Sequence, residues 1–238
     1  MLFFMNYKYD LHVHTDEISS CGKVGVEKLI VLYKNKGYDG IVLTDHFRQS
    51  FFGDFQDWKE GIDKIIEIYT KAKNFGANLN LDVMLGIEVS FAKNEGDFLV
   101  YGIDEEFLRN NNFILQGSLS DFNNIVKDRD ILIYEAHPFR NKKKEAADPE
   151  QVFGIEIYNG NPRHENNNQL AYLEAEKYKL KMISGSDFHQ LEDLGKGGII
   201  SSERITNSEK LINVLQKGNY KLIGEDLSYV QNKALIQM

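Results

Sequence analysis

Short apolar runs that are typical of β-strands alternate along this chain with segments whose apolar residues recur at helical spacing. The strand-like runs are YKYDLHVH, GIVLT, LDVMLGIEVSF, DFLVYGI, DILIYEAH, VFGIEIYN and KMISGSDFH. The clearest helical patterns are VGVEKLIVLYKNKG, with Gly37 as its expected C-cap, and DWKEGIDKIIEIYTKAKNFG (57–76), which also closes on a glycine. Repeated strand–helix alternation predicts a parallel sheet, and some seven strands in one domain favour a closed α/β barrel.

The length of 238 residues suits a single domain, 1–238, because a chain of this size buries a sufficient core and no linker-like stretch divides it. Cys21 is the only cysteine, which excludes an internal disulfide and any site built from a cysteine cluster, and favours a cytoplasmic protein. No apolar run has the length of a membrane helix or the form of a signal peptide, so we expect no membrane partner.

The net charge of −8 makes a nucleic-acid polymer an unlikely partner, because a phosphate backbone requires a basic track. The only sharp basic cluster is NKKKE (141–145), which we interpret as a solvated loop. Small anions remain compatible with a negative protein if metal ions supply positive charge locally.

Histidines and carboxylates follow the predicted strands where each of them ends. His12 and His14 are two residues apart, so on a strand both imidazoles point to one face, roughly 6.5 to 7 Å apart. Five of the six histidines lie at strand ends, the edge that carries the chemistry of βα barrels. The residues at these positions are His12, His14, Asp45, His46, Glu88, His137, Glu156, Asn159, Asp187 and His189.

Imidazoles and carboxylates without cysteine clusters are typical ligands of zinc, manganese or iron. The chain offers more such ligands than one ion needs, so we predict a cluster of two or three divalent metal ions. Glu88 is the best bridging carboxylate, because each of its two oxygens can bind a different ion.

The chain resembles the PHP family (polymerase and histidinol phosphatase superfamily) of metal-dependent phosphoesterases. The resemblance covers nearly the whole chain and rests on DLHVHT, GIVLTDHF, GIEVSF, EAHPFR, GIEIYNG, GSDFHQ and GGIISSERI, in the family's order and spacing. It implies a distorted (β/α)7 TIM-like barrel of PHP type and hydrolysis of phosphoesters.

The resemblance also implies roles for individual residues. His12, His14, Glu88 and Asp187 resemble ligands of a first metal, His46 and His189 of a second, and Glu88 and His137 of a third. A histidine that often follows the first motif has no counterpart in TDEISSCG, where Ser20 and Cys21 lie instead. Another, after the glutamate, is replaced in GDFLVYG, where Asp97 is the obvious substitute ligand.

Several residues next to these motifs are candidates for supporting roles. Asp10 and Asp45 are expected to accept the second ring N–H of ligand histidines, with structural capping as the alternative. Arg140, Arg163 and His164 are candidate phosphate-binding residues; a loop salt bridge is the alternative for Arg140, and an exposed helix start for His164.

Two further features have alternative interpretations. The aromatic segment FRQSFFGDFQDW (47–58) predicts either a hydrophobic cluster or a wall that recognises the leaving group. Cys21 is either a small buried turn residue or a soft metal ligand.

The expected activity is hydrolysis of a small phosphorylated metabolite or nucleotide through attack by a metal-bridging water, with Asp187 and His189 as candidates for proton transfer. An amidohydrolase-like C–N hydrolase is one alternative, although the bridging lysine that such sites usually use is missing from DFLVYGI. A non-catalytic metal-binding module is the other. The sequence identifies neither the substrate nor the oligomeric state.

Overall fold

The computed structural model describes residues 6–112, 114–140 and 145–231, so most of the NKKKE segment lies outside the described residues. The strands are β1 (Tyr7–Val13), β2 (Gly40–Leu43), β3 (His46–Phe47), β4 (Asp82–Val89), β5 (Asp97–Tyr101), β6 (Leu132–Ala136), β7 (Gly154–Asn159), β8 (Lys181–Gly185), β9 (Gly198–Ser201) and β10 (Tyr220–Ile223). The α-helices are α1 (Val26–Asn35), α2 (Gln49–Phe52), α3 (Trp58–Asn78), α4 (Glu105–Asn110), α5 (Leu119–Val126), α6 (Asn168–Tyr178), α7 (Ser208–Lys217) and α8 (Ser228–Gln231). Two short 3-10 helices span Ile114–Gln116 and Leu191–Asp193.

Seven strands form a nearly closed barrel in the order β1-β2-β4-β5-β6-β7-β8. The two ends of this series meet where Val13 bridges Phe188 in parallel, and where His14 N donates to Phe188 O at 3.0 Å. Strands β9 and β10 extend the sheet from β1, and the short β3 pairs with β4. The predicted α/β fold, a TIM-like barrel, is confirmed.

The prediction of a wholly parallel sheet is wrong at β5, which runs antiparallel to both β4 and β6. Only seven residues, 90–96, separate β4 from β5, whereas a parallel crossover needs a dozen or more. The start of β5 therefore lies at the edge where β4 and β6 end, and Asp97 pairs with Ala136.

The ends of the first two long helices differ from each other in their use of glycine. Helix α1 ends as predicted, because Gly37 adopts φ 81° and its N–H donates to Lys34 O at 3.0 Å. Helix α3 instead continues past Gly76 to Asn78, so the predicted stop there is wrong. A Cβ at Gly76 would lie 2.7 Å from Leu81 O, so this glycine allows the chain that enters β4 to approach the helix closely.

The aromatic segment 47–58 packs inward against the main apolar core. Phe47 is fully buried, and Phe52 stacks on Trp58 with ring centroids 4.3 Å apart. Trp58 donates its indole N–H to Leu108 O at 3.0 Å. These contacts favour the hydrophobic-cluster interpretation over a wall at the site.

A second apolar cluster joins strand residues to helix α7 and includes Val42, Met84, Leu99, Leu211 and Leu215.

None of the helices in the described parts of the chain combines the length and apolar character needed to cross a bilayer.

Candidate metal centre

The strand-end histidines and carboxylates converge at one end of the barrel. Strand β1 supplies His12 and the adjoining His14, whose ring centroids are 5.0 Å apart. The ring of His14 in turn lies 4.4 Å from that of His46 and 4.2 Å from that of His189. Nearly all of these side chains are buried, so the structure gathers into one dense polar cluster residues that lie far apart in the sequence.

Glu88, on β4, lies at the centre of the cluster. Its Oε1 is 2.9 Å from His137 Nε2 and 3.4 Å from His12 Nε2. Its Oε2 is 2.6 Å from His46 Nδ1 and 3.5 Å from His14 Nε2. Each carboxylate oxygen thus faces a different pair of imidazoles, which is the arrangement that a bridging carboxylate requires.

Hydrogen bonds to Nδ1 assign the tautomers of three imidazoles, because the partners accept and the ring nitrogen must therefore carry the proton. His12 Nδ1 donates to Glu156 Oε1 at 3.0 Å, and His189 Nδ1 donates to Asp187 O at 2.9 Å. His14 Nδ1 lies 3.1 Å from Ser19 Oγ, whose own proton goes to Asp45 Oδ1 at 2.7 Å. In each ring Nε2 is therefore the nitrogen left for another partner.

Among the described residues, four buried polar atoms of the cluster make no hydrogen bond of good geometry: His12 Nε2, His14 Nε2, His46 Nδ1 and Glu88 Oε2. The last two nevertheless lie 2.6 Å apart. Leaving such atoms unsatisfied costs about 1 to 3 kcal/mol each. The described residues contain three groups of potential ligands, and within each group one ligand atom from every residue lies within 4.8 Å of the others. The groups are His12, His14 and Asp187; His12, Glu88 and His137; and His14, His46 and His189. These donors fit divalent zinc, manganese or iron.

The surroundings within the cluster keep two of its side chains, His14 and Glu88, in metal-binding forms. Burial and the neighbouring His189 and His46 lower the pKa of His14 well below its ordinary value, so its imidazole is neutral near pH 7. Burial alone would raise the pKa of Glu88, but the surrounding imidazoles, His46 and His12 foremost, hold it well below its usual range. Both side chains therefore present lone pairs rather than protons.

The pKa of Asp187 is likewise held well below its usual range, because His12, His14 and Arg140 outweigh the opposing effect of burial. Asp187 therefore stays ionised, which suits a ligand better than a proton donor. At His12, burial lowers the pKa, but the carboxylates of Glu156, Asp187 and Glu88 outweigh burial and raise it well above its usual value.

Two residues of the cluster adopt backbone conformations that L-residues rarely occupy. His137 has φ 30° and Asp187 has φ 52°. Such conformations at non-glycine residues cost on the order of 1 to 3 kcal/mol and concentrate at functional sites.

The predicted role of Asp10 as a partner of a histidine ring is wrong. Asp10 accepts from main-chain Ser186 N at 3.0 Å, from Tyr33 Oη at 2.8 Å and from His12 N at 3.2 Å. Its carboxylate therefore joins the ends of β1 and β8, which is the structural alternative. Asp45 reaches a ring only through Ser19.

Glu156 performs the role expected of Asp10. It is fully buried, and its carboxylate accepts hydrogen bonds from His12 Nδ1, from His137 N at 3.0 Å and from Asn159 Nδ2 at 2.9 Å. The sequence placed Glu156 among the strand-end residues, whereas it lies within β7, and nothing local indicates which histidine it contacts.

The three candidate phosphate-binding residues lie around the cluster in different settings. Arg140 donates to Asn166 Oδ1 at 2.9 Å, to Asn159 Oδ1 at 3.0 Å and to Asp187. These contacts match the alternative interpretation of Arg140, a salt bridge that holds the loop.

Arg163 pairs with the fully buried Asp193, whose Oδ2 accepts from His189 N and Gln190 N, each at 2.9 Å. His164 is exposed in a turn that precedes α6. The structure thus ties Arg163 to the loop that carries His189, and leaves phosphate contact by Arg163 and His164 a prediction.

Asp97 and Cys21 occupy the positions where family histidines are missing. Asp97 accepts a hydrogen bond from Ser90 Oγ and belongs to none of the three ligand groups found among the described residues. Cys21 is exposed, contrary to the buried-turn interpretation, and its Sγ lies 3.2 Å from His46 Nε2. Partial burial raises the pKa of Cys21, but hydrogen bonds with His189 and His46 outweigh it and bring the pKa to about 5.

Comparison with known proteins connects this geometry to a family. The model of the PHP domain matches residues 10–225, whereas no curated protein matches the chain. A two-domain protein from Bacteroides vulgatus ATCC 8482, described as containing a predicted PHP-like metal-dependent phosphoesterase, is 18% identical with a TM-score of 0.64. The match covers 92% of this chain and 65% of that protein, so the chain spans about two thirds of its length.

Two further structures share the fold. PsfC from Pseudomonas syringae PB-5123 is 16% identical with a TM-score of 0.65, and 98% of each chain is covered. An amidohydrolase from Chromobacterium violaceum, solved with bound sulfate and no metal, is 15% identical with a TM-score of 0.54; the match covers 93% of this chain and 99% of that one. At these identities the likeness extends to the fold alone.

Proposed function

Because the chain belongs to the PHP-domain family, we propose that it is a metal-dependent phosphoesterase that hydrolyses a small phosphate monoester or nucleotide. The observation that carries this proposal is Glu88, whose two oxygens face imidazoles of different ligand groups. Around it, buried ring nitrogens have no hydrogen-bond partner of good geometry within the described parts of the chain. A bridging carboxylate with open ligand positions on either side suits a phosphoesterase that acts through two or three metal ions.

The proposed ligands follow the three groups of atoms. Since His12 and His14 each have only Nε2 free, they would hold one ion together with Asp187 and Glu88. Glu88 and His137 would hold a second ion, and His46 and His189 a third. When bound, such ions supply a water of lowered pKa and neutralise the oxygens of the phosphoryl group.

The protein's own residues supply orientation. Glu156 and the Ser19–Asp45 pair keep the protons of His12 and His14 on Nδ1, so the ligand nitrogens are set before any substrate arrives. His189 uses Nδ1 to bond Asp187 O, which leaves Nε2 as the atom through which it would bind metal or move a proton. Asp187, which stays ionised, serves as a ligand rather than as the acid.

Arg140 is the best candidate for binding the phosphoryl group. Its guanidinium contacts Asp187 directly and is 17% exposed, so it reaches both the ligand cluster and the solvent. A planar guanidinium binds phosphate oxygens in a bidentate manner. The net charge of −8 leaves a small phosphorylated molecule as the favoured substrate over a nucleic-acid polymer.

An amidohydrolase activity is the second candidate, since one solved structure with this fold is an amidohydrolase. A carboxylate, Glu88, occupies the centre of the cluster, where its two oxygens lie 2.6 to 3.5 Å from nitrogens of four imidazoles. This donor set favours the phosphoesterase.

A single screen separates the candidates. The protein is stripped with chelator, reloaded with Mn²⁺, Zn²⁺ or Fe²⁺, and assayed against phosphate monoesters, nucleotides, phosphodiesters and amides. We expect metal-dependent release of phosphate, abolished in Glu88→Gln and retained in Glu67→Gln, a matched change on an exposed helix surface. Amide cleavage without phosphate release would favour the amidohydrolase, and no turnover with full metal loading would favour a non-catalytic module.

A further inference from the structure

Cys21 lies directly beside the ligand group formed by His14, His46 and His189. Its Sγ is 3.2 Å from His46 Nε2. His46 turns its other nitrogen, Nδ1, toward Glu88. Cys21 therefore adds a sulfur to the side of this group that faces away from Glu88.

The loop that carries Cys21 is fixed to the site by main-chain bonds. Gly22 N donates to Ser19 O at 2.7 Å, and Lys23 N donates to His189 O at 2.8 Å. A Cβ at Gly22 would lie 2.6 Å from Thr15 O, so only glycine allows the turn to close this tightly. The sulfur is thus held beside His189 by the same bonds that shape the loop.

An independent observation indicates that this side of the cluster is built for an ion. His14 is fully buried, its Nδ1 is committed to Ser19, and its Nε2 has no hydrogen-bond partner among the residues that the structure describes. That nitrogen lies in the group with His46 and His189. The group consists of three imidazoles, which carry no negative charge, so apart from the shared Glu88 a divalent ion bound there would lack an anionic ligand.

We propose that Cys21 binds, through its thiolate, the metal ion held by His46 and His189, and so replaces the histidine that is missing from TDEISSCG. This inference rests on the proposed metal centre. It assigns a role to a residue that departs from the family's pattern.

The spacing of the donors agrees with this assignment. Typical zinc bond lengths and a tetrahedral angle separate a thiolate sulfur from an imidazole nitrogen by about 3.6 Å. The observed 3.2 Å between Cys21 Sγ and His46 Nε2 needs only a small outward shift of an exposed side chain. A thiolate ligand also favours zinc over manganese or magnesium, which prefer oxygen donors. We therefore expect this position to select a zinc-like ion.

Cobalt substitution tests the assignment by spectroscopy rather than activity. The chelator-stripped protein is loaded with Co²⁺, bound cobalt is counted by elemental analysis, and the near-ultraviolet spectrum is recorded. We expect a thiolate-to-cobalt charge-transfer band, absent in Cys21→Ser and Cys21→Ala and unchanged in the neighbouring control Ser20→Ala. Since Cys21 is the only cysteine, such a band can arise from no other side chain. Stoichiometric cobalt without the band overturns the proposal.

A second measurement covers binding strength. Zinc affinity at this position should fall at least about tenfold in Cys21→Ala, because even the loss of an outer-sphere partner costs about 10- to 100-fold. Bound zinc should also slow alkylation of the thiol in the unaltered protein. Alkylation at an equal rate with and without zinc overturns the inference while leaving the proposed function intact. Failure of the unaltered protein to bind any metal overturns both.

Discussion

Two halves of the candidate metal centre are built differently. The inner half consists of His12, His14, Glu88 and Asp187, whose side chains are at most 1% exposed. The outer half consists of His46, His189 and Cys21; the two imidazoles are 13% and 10% exposed, and Cys21 is exposed. The inner residues lie on or directly after long barrel strands, whereas the outer ones depend on a two-residue strand and on loops.

The difference bears on how firmly each half would hold an ion. Buried hydrogen bonds from Glu156 and Ser19 fix the inner imidazoles, and little solvent reaches them to compete. The outer ligands are positioned by loop contacts that open at a lower free-energy cost. We expect the inner half to retain metal and the outer half to exchange it.

Glu88→Gln should have the largest effect, because Glu88 contacts imidazoles of both halves. An amide cannot bridge two cations, so we expect metal stoichiometry to fall in both halves and turnover to drop about a thousandfold or more, well beyond the loss from an outer-sphere change. Elemental analysis and phosphate release measure the two quantities. Full metal content in the variant would show that the bridge lies elsewhere.

His14→Gln should rank second, with a loss of turnover of at least about a hundredfold, because His14 belongs to groups in both halves. Its thermal stability in chelator should change little, since neither protein then carries metal. If the variant unfolds in chelator while its folded fraction remains fully active, His14 is a core histidine and no ligand.

Arg163→Gln should weaken the outer half alone. Arg163 compensates the charge of buried Asp193, which holds the main-chain N–H groups of His189 and Gln190. In a stepwise titration, we expect the metal affinity of the outer half to fall about tenfold and that of the inner half to stay unchanged. Arg204→Gln, which breaks an exposed pair with Asp82, is the matched control. A raised KM with unchanged metal affinity would instead support phosphate binding by Arg163.

Asp97→Ala should have the smallest effect. Its carboxylate accepts from Ser90 Oγ and lies in none of the ligand groups, so we expect unchanged metal stoichiometry. A measured loss of one ion per chain would support the ligand role that the resemblance implies.

The sequence predicted the convergence of the site because strand ends of a barrel meet at one edge. His12, Glu88 and Asp187 each follow an apolar run, and that local pattern sufficed to place them together. The partners of these residues were harder to foresee. His12 and Glu156 are 144 positions apart, and no local pattern distinguishes Glu156 from Asp10 as the acceptor of a ring N–H.

Strand direction was misjudged although a signal was present. The connection 90–96 is too short for a parallel crossover, and loop length alone would have predicted that β5 is antiparallel. The end of α3 was misjudged for another reason. Glycine is typical of a helix stop, but Gly76 instead allows the chain at Leu81 to approach the helix closely, and only tertiary packing reveals this contact.

The positive φ angles of His137 and Asp187 have a consequence for anyone who redesigns this protein. A procedure that ranks residues by backbone preference would choose glycine or asparagine at both positions, because these residues adopt that conformation with less strain. Such a choice would raise the melting temperature while removing two proposed ligands of the centre. Thermostabilised versions of this barrel should therefore be selected with these two positions held constant.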